Sequence, residues 1–168
     1  MIQACHLANH MIYGYSCFDT DYTGMGTTMV SAVVVGDDVY VLNVGDSRAY
    51  RITRRKMVQI TRDHSLVQDM VDRGEITPEQ ARTHPRRNVI TRALGVDENV
   101  PCDIFKPRLS RGDMLLLCSD GLTNMLEDRE IFELSKHNPD PLSLGRALMA
   151  EALERGATDN VTVVIISK

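Results

Sequence analysis

The chain has 168 residues, enough for one domain with a real core and too few for two ordinary ones. Apolar residues make up 43% and charged residues 25%, which excludes a disordered or fibrous chain, and no apolar run approaches the ~18 residues of a membrane helix. A net charge of -4 speaks against nucleic acid held by bulk electrostatics, and four cysteines without a CxxC pair speak against a zinc ribbon and for a reduced, cytoplasmic setting.

Ile2, Leu7, Met11 and Ile12 fall near one face of a helix from Met1 to about Tyr13. Its apolar pattern starts without a capping residue, as expected of a chain cut from something upstream. Gly24-Met25-Gly26 then breaks the chain before a strand over Thr27–Val35, and Gly36-Asp37-Asp38 reads as a hairpin turn into Val39–Val44. Gly45-Asp46-Ser47 leads to Arg48–Thr53, with a short strand at Met57–Ile60. Turns this short predict one antiparallel meander, and Ala32 to Val35 predict a sheet covered on both faces.

Ser65–Arg73 reads as a helix stopped by Gly74, and Thr77-Pro78 as a cap and first helical position. His84 to Gly95 is Arg-rich and irregular. Strands return at Val100–Phe105 and Asp113–Cys118, helices at Glu127–Ser135 and Pro141–Arg155, and Val161–Ile166 closes the chain as a buried strand. No repeat or low-complexity segment interrupts this mixed α/β unit.

The chain holds 15 Asp against 8 Glu and 15 Arg against 4 Lys, a bias that suits hard-metal and phosphate sites. Asp120 ends an apolar strand, Asp159 precedes the last one, and Asp63 follows the fourth. If these strand ends are neighbours, three carboxylates converge and call for Mg²⁺ or Mn²⁺ between them. Each aspartate also reads as a turn or helix cap, and spacing leaves both readings open. His6 and His10, one turn apart, read as a solvated pair, and Asp46 and Arg48 as locking a turn by pairing with backbone or with each other. Arg82, Arg86, Arg87 and Arg92 form the most plausible substrate-facing surface, beside the plain reading of a solvated loop.

In order along the chain stand Gly24-Met25-Gly26-Thr27-Thr28, Gly45-Asp46-Ser47-Arg48, Thr61-Arg62-Asp63-His64-Ser65 and Gly74-Glu75-Ile76-Thr77-Pro78-Glu79. They are followed by His84-Pro85-Arg86-Arg87-Asn88 through Gly95, Cys118-Ser119-Asp120-Gly121, and Gly156-Ala157-Thr158-Asp159-Asn160. Together they resemble the bacterial metal-dependent Ser/Thr protein phosphatases of the protein phosphatase 2C (PPM) type. The resemblance implies an α+β fold: an antiparallel β-sandwich flanked by helices, here N-terminally truncated, as a single domain over 1–168 with a flap at about 65–95. It implies hydrolysis of phosphoserine and phosphothreonine in proteins by metal-activated water, with two Mn²⁺ or Mg²⁺ ions and a third in some members. Asp120 and Asp159 match the ligands of the metal pair, Asp63 a ligand of the additional ion, and Arg86 and Arg87 the substrate-binding flap.

The family's phosphate-binding Arg, metal-bridging Asp and general-acid His have no counterpart before Met25, so no catalytic side chain is carried over. The expectation is a chain weak or inactive on its own. Its partners would be phosphorylated proteins and a Ser/Thr kinase, with no nucleic acid or membrane. It would dimerise through exposed sheet edges. The reading from another class is a non-catalytic pseudophosphatase that binds phosphoproteins.

Overall fold

The computed structural model describes residues 1–36 and 38–168, so Asp37 of the expected Gly36-Asp37-Asp38 turn lies outside the described residues. The first sheet joins β1 (Met29–Val35), β2 (Asp38–Val44) and β5 (Asp103–Phe105) in the order β1-β2-β5. The second joins β3 (Arg48–Ile52), β4 (Met57–Gln59), β6 (Met114–Cys118) and β7 (Val163–Ser167) in the order β4-β3-β6-β7. All neighbours in both sheets are antiparallel.

Strand alternation builds the layers. Val30, Ala32, Val39, Val41 and Phe105 of the first sheet meet Ala49, Leu115, Leu117 and Ile166 of the second in a core between the sheets. The alternate residues of β6, Met114, Leu116 and Cys118, point the other way and pack with Tyr50 and Ile52 under helices. Those helices are α4 (Asp120–Thr123), α5 (Asp128–His137) and α6 (Pro141–Glu154), which contribute Leu122, Ile131, Leu144 and Leu148 to the layer. On the opposite side α1 (Ile2–Phe18) covers Leu42, Val44 and Met29 through Cys5, Ala8 and Ile12. It runs past the expected end at Tyr13 to Asp19, whose carboxylate caps a short 3₁₀ turn by accepting from the Asp21 amide.

Three expectations are corrected. The first four strands do not form one meander, because the chain changes sheets between β2 and β3. Gly45 turns it with φ +105°, and a Cβ there would lie 2.4 Å from the Thr28 methyl. With the other edge of β2 given to β5, and both edges of β3 to β4 and β6, the short connection joins layers rather than neighbours. Nor is the first sheet covered throughout: α1 shields only one end of its outer face, and Val33, Val34 and Val35 are 39%, 49% and 62% exposed on the β1 edge. The closing strand β7 is likewise an edge, with Val164 exposed.

The segment between β4 and β5 carries α2 (Leu66–Asp72), capped by the Ser65 hydroxyl, and α3 (Pro78–Thr83), started by a full capping box at Thr77 and Gln80. Both lean over one end of the sandwich.

Candidate functional site

At that end lies a cleft of about 850 Å³ lined by Asp46, Asp63 and Asp120 on one side and by Arg82 and Arg87 on the flap side. Asp46 sits on the turn that crosses between sheets. Asp120 begins α4 where the buried strand β6 ends.

The turn is held from below by His64, which is fully buried. Gly45 donates its amide to His64 Nδ1 at 2.9 Å and accepts from the His64 amide at 3.0 Å. Because Nδ1 accepts, we assign the ring proton to Nε2, which donates to Asp103 Oδ2 at 3.1 Å; Arg92 Nη1, 2.9 Å from the same nitrogen, is then a neighbouring donor and not its hydrogen-bond partner. Arg92 donates to the other oxygen of Asp103 at 3.0 Å, so it turns inward rather than toward a substrate. Burial, followed by the nearby Arg92 charge, lowers the His64 pKa against the pull of Asp103. Asp103, although burial opposes it, is held below the usual carboxylate range by hydrogen bonds from His64 and Arg92.

A group with a depressed folded pKa stabilises the fold above its unfolded value, and that stability is lost as pH falls through the folded value. The urea midpoint should therefore fall between about pH 7 and pH 5. His64→Gln, which has no titrating ring, should fall less steeply over this range, and an unchanged slope would exclude the assignment.

Asp63 is also buried, and its oxygens are committed. Arg48 donates to it through Nε and Nη2 at 2.7–3.0 Å, and Gln59 adds a bond at 2.8 Å. From there Arg48 reaches the Tyr50 hydroxyl at 3.1 Å, which donates to Asp128 at 3.0 Å. Burial opposes the charge of Arg48, but the Tyr50 and Asp63 partners more than compensate and raise its pKa. Asp63 thus forms the floor of the cleft as an ion-paired residue, where the sequence suggested a metal donor. Of the two pairings the sequence offered for the turn, Asp46 takes the one to backbone, while Arg48 pairs with Asp63 rather than with Asp46.

Asp46 is left as the partly buried carboxylate facing Asp120. Burial first, then the charges of Asp120 and Asp63, push its pKa up to about 6. Asp120 itself accepts one bond, from Asn124 Nδ2 at 3.1 Å. Asp159 lies outside the cleft lining but on a loop clamped to that of Asp120. Ser119 donates its amide to Thr162 and its hydroxyl to the Asn160 carbonyl, and its oxygen accepts from the Thr162 amide. Gly121 allows this approach, since a Cβ there would meet the Asn160 carbonyl oxygen at 2.4 Å. The Asp159 carboxylate is exposed and accepts from the Asn160 amide.

Of the flap arginines, Arg87 lines the cleft and Arg86 does not, while Arg82 lines it and reaches the Thr123 carbonyl at 3.4 Å. His6 and His10 are exposed on α1 and line a separate cavity of about 480 Å³ with Glu98. Among the described residues, no three His, Cys, Asp or Glu are grouped to hold a metal.

The donors nonetheless fit a hard cation. Two carboxylates close enough for one to raise the other are stabilised by a divalent ion between them. Mg²⁺ commonly uses one or two carboxylates and completes its shell with waters and substrate phosphate. The sequence reads Asp46 as a turn lock rather than a metal donor because a Gly-Asp-Ser turn looks like ordinary hairpin punctuation. The available signal was that Asp46 lies between two buried strands.

Two antiparallel sheets between helical layers, with a carboxylate cleft at one end, define the class, and the chain belongs to the protein phosphatase 2C family, whose profile matches residues 12–152. It is 41% identical over 160 residues to the serine/threonine phosphatase stp of Listeria monocytogenes, covering 95% of this chain and 64% of that protein. The structure resembles that of serine/threonine phosphatase Stp1 from Staphylococcus aureus, with TM-score 0.94 and 44% identity, covering 98% of this chain and 65% of that one. It also resembles the catalytic domain of PstP in complex with two manganese ions, with TM-score 0.83 and 36% identity over 94% of this chain and 65% of that one. The chain thus spans less than two thirds of these relatives. Among the described residues, no helix is long and apolar enough to cross a membrane.

Proposed function

We propose that this chain binds Mn²⁺ or Mg²⁺ at Asp46 and Asp120, with a second ion shared by Asp120 and by Asp159 on the neighbouring loop, and that the cleft acts in hydrolysis of phosphoserine and phosphothreonine in proteins. The observation that carries the reading is the Asp46–Asp120 pair in the cleft lining, where the Asp120 charge outweighs that of Arg48, whose guanidinium is paired with Asp63. When bound, the ions supply positive charge against the phosphoryl oxygens and a more acidic water. The chain's own residues divide the remaining work. Asp63 and Arg48 brace the floor, His64 holds the turn that carries Asp46, and Arg82 and Arg87 meet the anionic phosphopeptide from a flap over residues 65–95. Phosphorylated proteins and a Ser/Thr kinase are the partners this reading names. The four cysteines are free thiols, in keeping with a cytoplasmic setting. The open edges of β1 and β7, with Val35 and Val164 exposed, support self-association.

The second reading, phosphoprotein binding without turnover, is favoured by one observation: among the described residues no three-donor metal group is assembled. A phosphothreonine peptide separates the two. Mn²⁺-dependent phosphate release, lost in Asp120→Asn and in Asp159→Asn, is the result expected of the first. Peptide binding without release supports the second, and neither binding nor release overturns both.

A further inference from the structure

Cys5 and Cys102 meet on the inner side of helix α1. Cys5 is fully buried with Leu42 and Val44 of β2, and Cys102 packs against the same group. The strand register explains the meeting. Asn43 stands opposite Asp103 in the β2–β5 pair, and alternation sends Asp103 and its neighbour Cys102 to opposite sides. Asp103 turns to His64 and Arg92, and Cys102 turns to α1. Burial first, then the charge and hydrogen bond of the Cys102 thiol, push the Cys5 pKa up to about 11. The contact joins two core elements far apart in the chain. Beside it opens the cavity of about 480 Å³, lined by His6 and Pro101, the immediate neighbours of the two cysteines, and by His10 and Val100. The chemistry proposed for the cleft uses neither thiol.

We propose that Cys5 and Cys102 form a redox site, which a peroxide converts to a disulfide fastening α1 to the first sheet. Cys102, partly exposed, acts first. Its thiolate attacks one peroxide oxygen and the O–O bond breaks, leaving a sulfenic acid on Cys102, while the other oxygen takes up the thiol proton and departs as water. The Cys5 sulfur then attacks the Cys102 sulfur. The S–S bond forms as the S–O bond breaks, and the hydroxide leaves as water with the Cys5 proton. Two thiols and one hydrogen peroxide thus give one disulfide and two waters. Burial leaves Cys5 little thiolate at neutral pH, so it stays reduced until the sulfenic acid forms beside it. In a reducing compartment such a bond is transient, formed under oxidant and reversed by thiols. The site stands independently of the phosphatase reading.

Mass spectrometry of the reduced full chain after hydrogen peroxide, with the remaining thiols alkylated under denaturing conditions, tests this. The chain should lose two hydrogens and two alkylation sites, regain both with dithiothreitol, and yield on proteolysis a fragment pair joined through Cys5 and Cys102. The link should persist in Cys17→Ser and vanish in Cys102→Ser, which alters a partly exposed side chain by one atom. Cys5→Ser should abolish it as well, and should that buried change prevent folding, Cys102→Ser carries the comparison alone. A disulfide through Cys17, oxidation of Cys102 to the sulfinic acid without a link, or a chain that keeps all four thiols would overturn the proposal.

Discussion

Truncation of Arg48 to alanine should lower the free energy of unfolding by about 3–5 kcal/mol, the usual cost of leaving a buried carboxylate without its ion-pair partner. Arg48 and Asp63 keep only 24% and 8% of their side-chain exposure, and three short hydrogen bonds join them. The same change also removes a partner from the Tyr50 hydroxyl, which is buried beneath the helices. For a chain of this size the melting temperature should fall by about 10 °C. Arg48→Lys keeps the charge but not the planar fork, and should recover only part of the loss. Arg62 provides the contrast: it also pairs with two aspartates, Asp69 and Asp72, but at 41% exposure. Its truncation should cost less than about 1 kcal/mol. Urea denaturation of the three variants checks the ranking, and equal losses at Arg48 and Arg62 would refute it.

The largest functional effect should come from Asp120→Asn. In the proposed site Asp120 is the shared carboxylate, facing Asp46 across the cleft and tied through Ser119 to the loop of Asp159. Neutralising it removes charge from both proposed ion positions, so calorimetric Mn²⁺ affinity should fall by about a hundredfold. Asp46→Asn removes one position only and should cost about tenfold (~1.4 kcal/mol per decade). Neither substitution should destabilise the fold, because Asp46 is strained upward by burial and by its acidic neighbours. Asp63→Asn should behave differently, losing stability through Arg48 before it affects the metal. A stable Asp63→Asn with abolished Mn²⁺ binding would restore that residue as a direct donor.

The sequence made the strands, the capped helices and Asp120 legible because these follow local rules. Alternation places Leu115 and Leu117 opposite Met114 and Leu116, and a carboxylate after such a strand has to emerge at its end. The change of sheet at Gly45 was not legible. Its cause is long-range: His64, nineteen residues on, accepts the Gly45 amide. The role of Asp63 was hidden in the same way. Pairing of Tyr50 with Gln59 puts Arg48, two residues before Tyr50, beside the chain that runs on four residues from Gln59 to Asp63, but that register is visible only once the β3–β4 hairpin is built. Arg92 illustrates how an arginine-rich loop misleads. It looks solvent-facing by composition and is spent on Asp103.

Paramagnetic broadening by trace Mn²⁺ of the assigned amide resonances tests most directly whether the cleft is a cation site. Signals from Asp46, Ser47, Asp120 and Gly121 should disappear first, while those along α1 remain sharp. First broadening around His6 and His10, or uniform broadening across the chain, would contradict a cation site at Asp46 and Asp120.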